Sequence, residues 1–493
     1  MNAIARILDW PVDALDETPL ALWDAESVAR AVKGTASAEF LAAPLVSGVE
    51  IDSRDVQPGD LFFALKGESM DGHRFVDMAL AKGAAAVVVD RPVAGPHILV
   101  KDTTEALVRL GAAARVRGRG KIIGVTGSVG KTGVKESIFA ALDRASHGDA
   151  HRSVKSYNNH VGVPLSLARM PGRARFGVFE MGMNHAGEIA ALTRQVRPDV
   201  AVITTIAPAH IEMLGSEEAI ADAKAEIFEG LEPGGVAVIP ADSPHFDRLK
   251  AAADALGVNF VSFGKSAHAD VRLLDAVSAI GGGSLVTADM GDRRVCYTVA
   301  APGEHWVINS LAVMAAVRAV GGDLGAAGVA LAEMEGLAGR GARIEIDIDD
   351  DVPPGQALLI DESYNANPAS MRATLAQLGR TPARRRIAVL GAMKELGSHG
   401  PDFHAALAAP LRDAGVDHAV LVGPEMQPLA EELGKAAPNA LGKALTFAHC
   451  EGVREAVDIL RAFGLERDDA ILVKGSNSVG LAALVTALSK REG

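Results

Sequence analysis

Cysteine is nearly missing from this chain. The two that occur, Cys296 and Cys450, lie far apart in sequence. That excludes a disulfide scaffold and a zinc site built on cysteines, and it fits a reducing compartment. Positive charge is also in short supply, with 49 Lys and Arg against 62 Asp and Glu and a net charge of -13. No broad cationic face is therefore available for a nucleic-acid backbone, although a local cluster can still hold one phosphorylated ligand. Long apolar runs are absent too: nothing approaches the ~18 residues that a membrane span requires. Asp9, Asp13, Asp16 and Glu17 stand where a signal peptide needs an uninterrupted apolar stretch. The expectation is a cytoplasmic protein without a membrane span, acting as a monomer.

What abounds is glycine, at 52 of 493 residues, and many glycines directly follow short Val/Ile/Leu runs. Strand-to-helix turns of α/β proteins read this way. A chain this long exceeds one hydrophobic core, and three α/β domains are expected. The first, residues 1–117, holds short strands, a turn at Pro58-Gly59 and an Ala-rich helix leading into a strand at Ala85–Val89. A basic stretch, Arg115, Arg117, Arg119 and Lys121, reads as a solvated linker. The second, residues 118–338, opens with a strand at Lys121–Thr126, a glycine turn and a helix from Lys131. Buried-type strands at Gly177–Glu180, Val200–Thr205 and Val236–Ile239 imply a central, P-loop-type, mostly parallel sheet. The third, residues 339–493, is preceded in its alternation by an acidic, proline-bearing loop at 347–356. Its strands at Leu358–Glu362, Arg386–Leu390, His418–Val422 and Ala470–Lys474 each precede a helical pattern, which predicts a Rossmann-like domain. Arg384–Arg386 read as a solvated loop ahead of one of these strands.

The strongest chemical signal is "GVTGSVGKTG" at 124–133, between a strand and a helix. Backbone N–H groups of such a loop cradle phosphate, and the helix N-terminus adds positive partial charge. Lys131 is placed to reach the β/γ phosphates and the hydroxyl of Thr132 to bind Mg²⁺. A strict P-loop carries glycine where this chain has Val125; its glycines stand at 124, 127 and 130. Glu180 ends the apolar strand "GVFE", at the sheet edge where α/β ligand sites lie and a carboxylate can hold a metal. His210 by itself reads as a loop histidine and Lys224 as an exposed helix lysine. Ser53 and Arg54 follow "VEID" and precede a turn, and arginine suits a bidentate hold on pyrophosphate. Met181 and Met183 read as packing. An Asn-Lys-x-Asp guanine-reading motif is missing, which argues against a GTPase switch, and a non-catalytic UDP-sugar carrier has no use for Gly130-Lys131-Thr132 with Glu180.

The displaced spacing G-x-T-G-x-x-G-K-T resembles the Mur ligase superfamily, which includes folylpolyglutamate synthases. Further segments match in order: "YNNHVGVPLSL" (157–167), "FEMGMNHAGEI" (179–189), "TTIAPAHIEMLGS" (204–216) and "ADAKAEIFEGL" (221–231). They continue through "PGEHWVINSLAVMAA" (302–316), "GRGAR" (339–343), "DESYNANPASM" (361–371), "LGAMKELGSHGPDFH" (390–404) and "KGSNSVGL" (474–481). Trp306 stands where the family often has Asn. "DSRDVQPGDLFFALKGESMDGH" (52–73) is similar to the UDP-binding segment of the diaminopimelate- and D-alanyl-D-alanine-adding members. The Asp-Asn-Pro-Arg motif of the former is missing, and "DESYNANPASM" with "LGAMKELG" resembles the latter.

The resemblance implies an ATP-dependent carbon–nitrogen ligase of peptidoglycan synthesis, with UDP-N-acetylmuramoyl-tripeptide and D-alanyl-D-alanine as partners and ATP and two Mg²⁺ as cofactors. Another superfamily ligase, adding diaminopimelate or glutamate, is the alternative. It implies Lys131, Glu180, His210 and Lys224 as catalytic residues. ATP would be held by Gly127, Ser128, Val129, Gly130, Lys131, Thr132, Asn309, Arg340, Asp361 and Asn365. The UDP-substrate falls to Ser53, Arg54, Asp71, Gly72, His73, Asn158 and Asn159. Metal ligation falls to Thr132, Glu180, His210 and Lys224, the last as a carbamate formed with CO₂.

Overall fold

The structure, a computed structural model, describes residues 21–42, 45–67, 70–208, 211–279, 282–334, 336–348, 355–435 and 445–489. Asp9, Asp13, Asp16, Glu17, residues 349–354 of the acidic loop, and His210 lie outside them. The chain forms two compact units, Met1–Gly118 with Pro164–Gly172, and Arg119–Val163 with Arg173–Gly493. No helix among the described residues is long and apolar enough to cross a membrane. The architecture is α/β with several mostly parallel sheets.

In the first unit a five-stranded sheet runs in the order Thr35–Ala36, His97–Leu99, Ala86–Val89, Asp60–Phe63, Gly48–Glu50. Apart from the antiparallel Thr35–Ala36 edge its pairs are parallel. Strands Asp60–Phe63 and Ala86–Val89 are buried throughout, as strands covered on both faces must be. The basic stretch is not a solvated linker. Arg115 and Arg117 lie in the last turn of helix Thr103–Arg117, and Arg115 is buried. The Arg117 guanidinium stacks 3.7 Å over the Trp23 ring and donates to the carbonyls of Leu22 and Met170. Aromatic stacking and buried carbonyls outweigh hydration for a guanidinium in that position.

Gly72 opens the short 3₁₀ helix Gly72–Phe75 where it meets the end of the preceding strand. A Cβ there would lie 2.7 Å from the Leu65 carbonyl oxygen and 2.8 Å from its nitrogen. Backbone cannot move aside as a side chain can. Gly72→Ala should therefore cost about 1–3 kcal/mol of stability, read as a lowered midpoint in urea; an unchanged midpoint would refute the tight approach.

The second unit contains two sheets. One has nine strands, in the order Arg294–Val299, Ser284–Asp289, Val271–Ser278, Asn259–Gly264, Val236–Pro240, Val200–Ile203, Lys121–Thr126, Phe176–Glu180, Ala150–Arg152. The pairs at the Arg294–Val299 end are antiparallel and the rest parallel. Helix Lys131–Ser146 covers the sheet with Val134, Ile138 and Leu142, each worth about 1.5–3 kcal/mol on full burial. The other has six strands, in the order Ala342–Asp347, Gln356–Glu362, Asp469–Lys474, Arg385–Gly391, His418–Val422, Thr446–Cys450. Helix Pro368–Arg380 packs on one face through Met371, Leu375 and Leu378, and Val453–Phe463 and Ala482–Ser489 on the other through Leu460 and Leu484. Arg385 and Arg386 belong to a strand, contrary to the solvated-loop reading. Arg385 grips the buried Asp469 with Nε and Nη2, at 2.8 and 2.5 Å, and a bidentate pair of this kind compensates burial of both charges.

Candidate active site

Strand Lys121–Thr126 delivers the chain to the sheet's carboxyl edge, and Gly127 and Gly130 turn it with φ of 148° and 87°. Both glycines are also required by contact. A Cβ on Gly127 would lie 2.0 Å from Thr204 Oγ1, and one on Gly130 would lie 2.7 Å from Asn309 Nδ2. Thr204 Oγ1 donates to the Val129 carbonyl at 2.5 Å, and Ser128 Oγ donates to Ala207 O while accepting from Ala207 N. The loop is thus clamped from a neighbouring strand end. Helix Lys131–Ser146 starts from it, which aims the helix dipole and free N–H groups at whatever the loop encloses.

Phe176–Glu180 pairs with that strand so that Glu180 lies beside Val125. Glu180 is buried; its Oε2 accepts from Thr132 Oγ1 at 2.8 Å and its Oε1 from Asn158 Nδ2 at 2.7 Å. Asn158, expected against the UDP-substrate, is thus joined to the phosphate-loop side. Asn159 Oδ1 accepts from the N–H groups of Val161 and Gly162, where helix Gly162–Ala168 begins. Lys135, fully buried, donates to the carbonyls of Ser153 and Lys155 at 2.8 and 3.1 Å. That staple fixes residues 153–158, and Ser153 Oγ in turn accepts from Glu180 N–H.

The phosphate loop, Asn158 and Glu180 line a cleft of about 250 Å³. Lys131, Asn158, Glu180 and Lys224 enter it from one side of the second unit, and Arg340, Glu362, Tyr364, Asn365 and Lys474 from the other. Lys131 Nζ donates to the Gly127 carbonyl at 2.7 Å. Burial holds its ammonium below the usual lysine range, against the pull of Glu180 and with added repulsion from Arg340. Lys224 is no exposed lysine: it is 2% accessible, because helix Glu217–Ala225 turns that face inward. Burial first, and repulsion from Lys131 second, hold it well below its usual range. Its Nζ has no hydrogen-bond or ion-pair partner among the described residues.

Arg340 donates to Ser156 Oγ at 3.2 Å and lies 4.1 Å over the Tyr364 ring. The Asp361 carboxylate is not brought into the cleft. It accepts from Gly339 N–H, Ser363 N–H and Ser363 Oγ, and so builds the turn that carries Arg340. Asn365 lines the cleft, while Asn309 packs beneath Gly130. Trp306 has a packing role: a Cβ on Gly133 would meet its ring at 2.7 Å, so that glycine makes room for the indole. Met181 and Met183 are buried, as expected of packing residues.

In the first unit Ser53 is buried, and Arg54 reaches Asp52 with Nε and Nη2 while its side chain stays exposed. Asp71 accepts from His73 N–H, His73 Nδ1 and Arg91 Nη2. The hydrogen bond from Arg91, the largest influence, holds that carboxyl well below the usual range.

Ser156, Glu362, Tyr364, Lys135 and Lys474 escaped the reading of the sequence as site residues. Two of them carried a signal: Glu362 follows Asp361 in "DESYNANP", and Lys474 ends an apolar strand.

Family profiles match three stretches: the "Mur ligase family, catalytic domain" at 45–146, the "Mur ligase middle domain" at 125–317 and the "Mur ligase, glutamate ligase domain" at 350–477. A UDP-N-acetylmuramoyl-tripeptide--D-alanyl-D-alanine ligase of Synechocystis is 34% identical over 464 residues, covering 90% of this chain and 92% of that one. The chain belongs to the Mur ligase family. It is thereby an ATP-dependent ligase. Among solved Mur ligases, a MurF crystal structure from Acinetobacter baumannii superposes with a TM-score of 0.80 at 29% identity, covering 96% of this chain and 99% of that one. Thermotoga maritima MurF, solved in complex with ADP, gives 0.72 at 26% identity over 90% and 97%.

Proposed function

We propose that this Mur ligase joins D-alanyl-D-alanine to the terminal carboxylate of UDP-N-acetylmuramoyl-tripeptide through an acyl phosphate, with ATP giving ADP and phosphate, in the cytoplasm. The observation that carries this reading is one cleft combining the phosphate loop, Glu180 and the buried Lys224, which has no partner among the described residues. A carboxylate is a poor electrophile and its charge repels the triphosphate. Lys131 and the loop N–H groups offset that repulsion where the γ-phosphoryl moves. Gly127, Ser128, Val129 and Gly130 would wrap the phosphates, with Asn309 supporting the loop from below. Arg340 and Asn365 would contact the rest of the nucleotide, with Asp361 holding the turn behind Arg340.

Thr132 and Glu180 converge as oxygen donors, which fits Mg²⁺, a cation that takes few protein ligands and keeps phosphate and water oxygens. No cluster of three or more His, Cys, Asp or Glu among the described residues would hold a metal unaided. Bound there, the ion would neutralise charge on the phosphate and acyl oxygens. A second Mg²⁺ would fall to His210 and Lys224 as its carbamate.

The decisive assay is ADP release against a panel of UDP-muramoyl peptides and amine acceptors. Turnover confined to diaminopimelate or glutamate as acceptor would replace this reading with another ligase of the superfamily.

Ser53, Arg54, Asp71, Gly72 and His73 lie in the first compact unit and the phosphate loop in the second, which supports separate recognition of UDP and ATP. Arg54→Ala should raise the KM for the UDP-substrate and leave that for ATP nearly unchanged. Equal losses for both substrates in steady-state kinetics would overturn the assignment.

A further inference from the structure

Positive charge is scarce in this chain, whose net charge is -13, yet three cations gather away from the phosphate loop. A hollow of about 740 Å³ opens beside the N-terminus of helix Glu304–Ala319, within the second compact unit. It shares no lining residue with the catalytic cleft.

Both sheets of that unit build it. Strands Val271–Ser278 and Ser284–Asp289 form one wall, and Lys265 follows directly on Asn259–Gly264. Strand Ala342–Asp347 brings Arg343, and the last turn of helix Pro368–Arg380 brings Gln377 and Arg380. The three cations face one lining carboxylate, Glu304, which is already paired with Lys265. Arg343 has no hydrogen-bond or ion-pair partner among the described residues. Partial desolvation holds its guanidinium below the usual range, with no carboxylate to counter it. Arg380 engages only its Nε, which donates to the Ala376 carbonyl at 3.2 Å.

Gln377 supplies an independent sign of a ligand. It is 7% accessible. Its main-chain carbonyl accepts from Thr381 N–H and Oγ1, but its side-chain amide has no partner among the described residues. Gly303 keeps the space beside that amide open, since a Cβ there would stand 3.0 Å from Gln377 Oε1. A buried amide left unsatisfied is costly, so its partner has to come from the hollow.

We infer that this hollow is an anion site separate from the catalytic cleft, and that it receives a phosphoryl group on Arg343 and Arg380. Charge decides the class. Three cations against Glu304 leave an excess of two positive charges. A phosphate monoester carries about -1.5 to -2 at neutral pH, whereas a carboxylate brings a single charge. Guanidinium forks match phosphate oxygens in pairs, and the Gln377 amide adds an uncharged donor. Leu273, Val307 and Pro382 line the remainder, which gives the organic part of an ester an apolar surface.

The test is calorimetric titration of the full-length Lys131→Ala protein, in which the phosphate loop is weakened as a competing site. The probes are phenyl phosphate, inorganic phosphate and benzoate. Phenyl phosphate should bind saturably. Arg343→Gln or Arg380→Gln, added singly, should weaken it by roughly ten- to hundredfold, the worth of one charged hydrogen bond. Thermal melts should not move, because neither guanidinium is tied to another element of the fold. Benzoate, with the same ring and one charge, should bind more weakly than phenyl phosphate. The inorganic arm separates two sources of the same chemistry. Equal affinity for inorganic phosphate makes the free ion the occupant, tighter phenyl phosphate makes it an organic ester, and either result supports the site. Absence of saturable binding, an affinity unchanged in both arginine variants, or benzoate binding as tightly as phenyl phosphate overturns the inference. No turnover is required, so these outcomes leave the acyl-phosphate reading untouched.

Discussion

Lys131→Ala should lower ADP formation by about a thousandfold or more while the protein stays folded. The magnitude follows from comparison with a single cationic side chain supplied to a transferring phosphoryl group, worth ~10³-fold or more. No other cation of the cleft is placed to substitute. Arg340 is tied to Ser156 and stacked on Tyr364, and Lys474 is bound to Glu362 and Asn365. The fold should survive, because Lys131 Nζ holds only a carbonyl of its own loop and the helix core rests on Val134, Ile138 and Leu142. Coupled ADP release together with a thermal melt checks this. Near-normal turnover from a folded variant would remove Lys131 from the chemistry.

A loss of similar size is expected at Lys224, for a different reason. An ammonium ~4 Å from Mg²⁺ would be repelled by roughly 8 kcal/mol at an effective dielectric of 20. The site works against that charge: burial and Lys131 already disfavour it. Neutral lysine is the form that reacts with CO₂, and the resulting carbamate supplies an anion with two oxygens, the ligand type Mg²⁺ prefers. Lys224→Arg keeps length and charge but cannot form the carbamate, so it should be nearly inactive. Lys224→Ala should regain part of its activity when a short carboxylic acid is added. Full activity of the Arg variant in CO₂-depleted buffer would dismiss the carbamate. The burial also sets a direction with pH. The unfolded state keeps an ordinary lysine, so the depressed value makes the folded state bind fewer protons between the two values. Lys224 thus contributes destabilisation that is fully present below its folded value and fades as pH rises to the unfolded one. Lys224→Met should accordingly be more stable than the parent near neutral pH, by a margin that shrinks towards alkaline pH in urea titrations.

How far these residues were legible depended on whether their cause is local. The phosphate loop was legible because everything that makes it is consecutive: an apolar strand ending at Thr126, glycines where φ turns positive, and a helix from Lys131. Glu180 was legible as the end of a buried strand. Lys224 was not, because Glu217, Glu218 and Asp222 in the same helix make any lysine there look solvated. Arg117 read as linker because its partner Trp23 is distant in sequence. The antiparallel strands Val271–Ser278, Ser284–Asp289 and Arg294–Val299 went unread because their outer faces keep apolar residues such as Val277 and Leu285 exposed, which blurs the alternation that marks a strand. Asp361 was placed at the nucleotide by resemblance, and only the folded turn reveals that its oxygens serve Gly339 and Ser363.

The bond from Lys131 to the Gly127 carbonyl makes the loop its own first ligand. That bond takes one of the three ammonium donors and aims the other two away from the carbonyl, where an uncharged molecule offers them only a neutral oxygen. An anion gains the difference between a charged and a neutral hydrogen bond, which is roughly a doubling in strength. The lysine thus discriminates against sugars, nucleosides and other uncharged metabolites that fit the space, and it favours phosphate by charge rather than by shape.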